Sequence, residues 1–196
     1  ILGMDYSKGP ISANLTPAEI IKAGHGMGAL VVVNHPYSDY GFFNNRDSVK
    51  GGHDQGSEDF DFLELQSTID LTDKKNMDKK ALDLAMSYWN KGIPKYLTGG
   101  SDQHDVTSGL YPGIIRMYVN VEGGLTLEKY FAALKAGHAY VTMGPIFTPA
   151  QNTLFGSTQE VKAGGKHTLT TELQAVHGLA RVDVYHEGKV ITSKEF

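Results

Sequence analysis

Four side chains in this sequence could do chemistry together: His35, Glu64, Asp102 and His104. Asp102 and His104 stand at i and i+2 in TGGSDQH, directly after the β-type run Tyr96, Leu97, Thr98. On an extended backbone that spacing points a carboxylate and an imidazole the same way. His35 follows the apolar run Val31 to Val33 in VVVNHP, and Pro36 biases it towards an extended conformation, so a strand end aims it. Oxygen and imidazole donors delivered from two strand ends suit Zn²⁺, Mn²⁺ or Fe²⁺. The competing reading is that Asp102 and His104 only cap a turn and pair with each other. Glu64 lies inside DFLELQ, and strand carboxylates are seldom buried without a partner. It either points to solvent near the strand end or faces the site as a ligand or as an acceptor behind one.

The elements that position these residues read as alternating helix and strand. Thr16-Pro17-Ala18-Glu19 has the signature of a capping box with proline at the first helical position. Ile20, Ile21 and Ala23 supply its apolar contacts, and Gly24 is the expected stop. Ala29–Val33 is a continuous apolar run, the mark of a strand covered on both faces. Phe60–Gln66 reads as the next strand. After Asp78, Leu82, Ala85, Met86 and Trp89 recur at helical spacing, Lys91-Gly92 ends the helix, and Met86 and Trp89 read as core. Tyr96–Thr98 follows as the third strand, and the three are expected side by side and parallel, with His35 and Asp102 emerging at one end. Between Pro36 and Asp59 the periodicity disappears into a long loop of Gly, Asn, Asp and aromatics that could wall a pocket. His53 in that loop is a weaker ligand candidate, read as solvated.

Downstream, Ile114–Val119 reads as a strand carrying Arg116, either an anion clamp or a surface salt bridge. Thr126 caps a helix with Leu127, Phe131 and Leu134, stopped by Gly137, and HAYVTMGP gives a short strand and turn. Beyond Pro149 the character changes. HTLTTELQAV and ARVDVYHEGKVI alternate with period two around a turn at Glu187-Gly188, which predicts an antiparallel β region. The organisation expected is residues 1–149 as an α/β unit and 150–196 as a β tail. His167, His177 and His186 lie on that tail without ligand spacing.

Composition narrows the function classes. The chain has 196 residues with 18 basic against 22 acidic side chains, net charge -4, and no basic block that would mark a nucleic-acid surface. It has no cysteine, so disulfides and thiolate chemistry are out and any metal must be held by O and N donors. The longest apolar run is far too short to span a bilayer. These features fit a cytoplasmic or a bacterial extracytoplasmic setting equally. The opening ILGMDYSKG, without an initiator methionine, suggests a piece of a longer protein.

GALVVVNHP, DFLELQ, the Trp89 helix with its Gly92 stop, LTGGSDQH and LTLEKYFAALKAGHAYVTMGP, taken in order, resemble the PHP (polymerase and histidinol phosphatase) metallohydrolases, in their CehA/McbA-like branch. The resemblance covers nearly the whole chain, the strand-rich tail included. It implies a distorted (β/α)₇ barrel, here incomplete, that holds two or three divalent ions at the C-terminal ends of its strands. There a metal-activated water attacks a phosphoester or related ester of a small molecule. By that analogy His35 is the histidine of the HP motif, Asp102 and His104 form the closing Asp-x-His, and Glu64 occupies the acidic strand position.

One departure is large. The family's first strands carry a His-x-His and further ligands, and none is present: the only histidine ahead of His35 is His25. Each ion needs about four to six donors, so the remaining ligands cannot close a polynuclear site. The expectation is a hydrolase parent with this chain inactive or at best a weak single-metal binder, His35, Asp102 and His104 forming a partial site. Two alternatives are a binding or scaffolding module that keeps a degenerate PHP fold, and a carbohydrate-active or secreted multidomain enzyme whose tail binds substrate.

Overall fold

The computed structural model describes residues 2–3, 5–44, 57–66, 73–107, 111–150 and 154–196. The candidate His53 and parts of the two loops around it and around Asp70 lie outside them. The architecture is mixed α/β, with several small sheets that do not close into a barrel among the described residues. At its centre is a parallel sheet, order β1-β2-β3, of Val32–Val33, Phe62–Leu65 and Tyr96–Gly99. In register, Val32 faces Phe62, and Glu64 faces Thr98. The expected neighbours are therefore neighbours, although each ladder is shorter than its apolar run. Ala29–Val33 contributes only two ladder residues. Leu30 instead bridges Leu2, and the Val31 N–H donates to the Asp61 carboxylate at 2.7 Å.

Alternation along the sheet sends Leu63 and Phe62 to opposite faces, and both are fully buried. Leu63 joins Ile21, Val31, Val33, Phe60, Ala85 and Tyr88 under helices α1 (Pro17–Gly26) and α2 (Met77–Trp89). Phe62 packs with Leu30 and Leu134 beneath α3, Leu127–Lys135. Each such side chain contributes about 1.5–3 kcal/mol by leaving water.

Helix α1 begins as its sequence dictates: Thr16 accepts from the Glu19 N–H, and Glu19 accepts from the Thr16 N–H at 2.8 Å. It does not stop at Gly24. It runs to Gly26, and the left-handed break comes at Gly28, φ 75°. Gly24 is buried within the helix. Helix α2 is capped by Asn76, whose side chain accepts from the N–H groups of Asp78 and Lys79, and its chain reverses at Gly92, φ 71°. Met86 is buried as expected, but Trp89 is 43% exposed. Its indole N–H is spent on the Lys95 carbonyl at 2.6 Å, which turns the ring to the edge of the core. Helix α3 starts at its Thr126 cap and ends before Gly137, φ 74°.

The remaining strands pair antiparallel: β4 (Arg116–Val119) with β5 (Ala139–Thr142), β6 (Ile146–Pro149) with β7 (Thr171–Gln174), and β8 (Arg181–His186) with β9 (Lys189–Glu195). The β8–β9 hairpin turns at Glu187-Gly188, φ 51° and 76°, the two left-handed residues that a tight hairpin turn demands. Gly99 at the end of β3 lets β5 approach, since a Cβ there would meet Val141 Cγ1 at 2.7 Å.

Candidate functional site

His35, Glu64 and Asp102 belong to the three strands of the central sheet. His35 lies two residues beyond β1, Glu64 is within β2, and Asp102 lies three beyond β3. Because those strands are parallel, all three lie towards the same strand ends. The backbone there is not what the local sequence predicts. His35 has φ 35° and Asp102 φ 48°, both left-handed. The proline bias on His35 is overridden by Glu64, 29 residues away, whose Oε2 accepts from the His35 N–H at 2.8 Å and lies 3.1 Å from its Nδ1. Strand β3 ends at Gly99, so Asp102 and His104 do not share an extended backbone and the i, i+2 alignment does not apply.

Glu64 does not point to solvent. Its side chain is 13% exposed, one oxygen is committed to His35, and the other would lie 2.9 Å from a Cβ on Gly100. The second glycine of TGGSDQH thus leaves room for this carboxylate. The His35 ring is about one-third exposed, and with Nδ1 on the carboxylate its Nε2 is left for other partners.

Asp102 and His104 form a looser pair. The His104 ring nitrogen Nδ1 is 3.8 Å from Asp102 Oδ1 but 2.8 Å from the Asp102 carbonyl, and the side chain is 78% exposed. A carbonyl only accepts, so Nδ1 carries the proton in that contact. Asp102 Oδ2 accepts from Gln66 Nε2, while the Gln66 N–H donates to the buried Asp78 carboxylate at 2.8 Å. Gln66 therefore ties the end of β2 to both the start of α2 and the 101–107 loop. Nothing in the local sequence around Gln66 marks that link. No hydrogen bond or ion pair among the described residues joins the His35–Glu64 pair to the Asp102–His104 pair.

A divalent ion needs at least three protein donors brought together. Among the described residues no group of three or more His, Cys, Asp or Glu side chains is placed to hold one. The described residues do not fit a bound metal by themselves. Arg116 is exposed on β4, and the expected surface salt bridge is not formed there among the described residues.

A second polar knot lies at the opposite ends of the strands. Asp61 Oδ2 lies 2.9 Å from His25 Nε2 while it accepts the Val31 N–H, pinning the end of α1 to the start of β1. Beside it the Lys95 ammonium is buried, donates to the Phe60 carbonyl and sits 4.6 Å from the centre of the Phe60 ring. Burial pushes the Lys95 amine below its ordinary range, opposed by Asp59, Asp61 and Glu58.

No protein-family model, no curated protein and no solved structure matches this chain.

Proposed function

We propose that this chain is a non-catalytic binding module that retains a degenerate PHP-type fold. The observation that carries the reading is the commitment of Glu64: its Oε2 is held by the His35 N–H and ring, and the four candidate donors divide into two pairs. With Oε2 held by His35, Glu64 has only Oε1 to offer an ion, and among the described residues no group of three donors stands ready to share it. The α/β core around the pairs is otherwise well packed, as a binding scaffold requires.

A second reading has one observation in its favour. It takes the chain as part of a metal-dependent hydrolase of phosphoesters or related esters, its ligand set completed from outside these residues. Among the described residues three non-glycine residues have positive φ; Glu187 is explained by its hairpin, and the other two are His35 and Asp102. Strained backbone of this kind costs about 1–3 kcal/mol per residue and clusters at working sites.

Turnover separates the two. With Mn²⁺ or Zn²⁺ added, the 196-residue protein is expected to hydrolyse p-nitrophenyl phosphate and bis-p-nitrophenyl phosphate no faster than metal alone. Hydrolysis well above that background, lost in His35→Ala, would overturn the module reading. A longer chain with upstream strands restored would gain activity by orders of magnitude under the second reading and none under the first.

A further inference from the structure

Trp89 is the one tryptophan of the sequence, and it is left half-exposed in a place where helical spacing predicts core. Its ring borders a cleft of about 680 Å³ formed by the end of α2, β3, β5 and the 156–158 turn. Ile93, Tyr96, Leu97 and Tyr140 supply much of the rest of the wall. By strand alternation Leu65 and Leu97, which also line it, point to the sheet face opposite Glu64. His35, Glu64, Asp102 and His104 are not among its lining residues, so the cleft is separate from the strand-end pairs.

Three features give this cleft the character of a ligand site. Its volume falls in the range of about 300–1,000 Å³ typical for small-molecule pockets. No described residue lining it carries a charge; the hydroxyls among them are those of Tyr96, Tyr140, Ser157 and Thr158. An ion entering such walls would lose hydration worth several kcal/mol without a partner, so charge complementarity selects a neutral occupant. The walls are also held in place. Tyr140 stacks on Tyr118 at 5.5 Å and 9° and contacts Phe147 and Phe155, and its hydroxyl accepts from the Phe147 N–H at 3.0 Å. The indole is fixed by Lys95, and the Tyr96 ring lies against Gly137, where even a methyl group would come within 2.1 Å of it.

We infer that this cleft binds an uncharged, predominantly apolar small organic molecule. The inference rests on the reading of the chain as a binding module and names the class of its ligand, at a site apart from His35 and Glu64. The probe is N-phenyl-1-naphthylamine, which is uncharged and accepts energy from an excited indole. Titrated into the full protein with selective excitation of Trp89, it is expected to show saturable sensitised emission with one site per chain. Its charged analogue 8-anilino-1-naphthalenesulfonate should bind at least about tenfold more weakly. Ile93→Asp, at an exposed wall position, should weaken the neutral probe by about tenfold or more. Val106→Asp, 95% exposed and outside the cleft, should leave it unchanged. Should Ile93→Asp fail to fold by circular dichroism, Thr158→Arg, which charges another exposed wall position, decides instead. Unsaturable binding, equal affinity for the sulfonate, or indifference to the cleft variants would overturn the inference. So would Trp89 emission that shifts on dilution without probe, the sign of a second copy seated there. None of these failures touches the turnover test above.

Discussion

Replacing His35 by alanine and, separately, by glycine measures the strain at the first strand end. At φ 35° a residue with a Cβ meets its own carbonyl, at a cost of about 1–2 kcal/mol that glycine does not incur. In an ordinary extended segment the order is reversed, because glycine loses more backbone freedom on folding and is worse than alanine by about 0.5–1 kcal/mol. Both variants lose the same imidazole and its 3.1 Å contact to Glu64, and both keep the N–H that donates to Glu64. Their difference therefore isolates the backbone. His35→Gly should be more stable than His35→Ala by about 1 kcal/mol, a shift of about 2–4 °C in Tm for a chain of this size. Urea unfolding followed by circular dichroism reads the difference at equal slope. If His35→Gly were instead the less stable by about 0.5 kcal/mol or more, His35 would be extended as its proline predicts, and the pinning by Glu64 would be wrong.

Two further outcomes follow from buried features. Lys95 has its pKa lowered by burial, so the unfolded chain binds that proton more tightly than the folded one. Stability should then rise with pH across the window from the lowered value up to the ordinary 10.5, and Lys95→Met should remove that rise in urea midpoints. Gly137→Ala should cost at least about 2 kcal/mol, because it combines a left-handed backbone with a methyl group driven against the Tyr96 ring; a thermal midpoint within a degree of the parent would contradict it.

What could be read from the sequence was what local pattern controls. The capping box at Thr16, the α2 spacing through Met86, the Thr126 cap, the three parallel strands and the Glu187-Gly188 hairpin all depend on neighbours within a turn or on one strand's alternation. What could not be read depends on partners far along the chain. His35 is turned left-handed by Glu64, and the Val31 N–H goes to the Asp61 carboxylate, which also engages His25. Trp89 obeys the helical period, yet its indole N–H is drawn to the Lys95 carbonyl at the edge of the core. At the candidate site the residue types were legible and their grouping was not. Spacing of i, i+2 aligns side chains only on a strand, and β3 ends three residues before Asp102.

Calorimetric titration of Zn²⁺ and Mn²⁺ into the 196-residue protein and its Asp102→Asn variant asks whether the four donors act as one metal centre. With His35–Glu64 and Asp102–His104 standing as separate pairs, no saturable binding tighter than about 1 μM is expected, and the same weak heats from both proteins. One or more equivalents bound with sub-micromolar Kd, and lost in Asp102→Asn, would contradict it and restore these residues as the ligands of a metal centre.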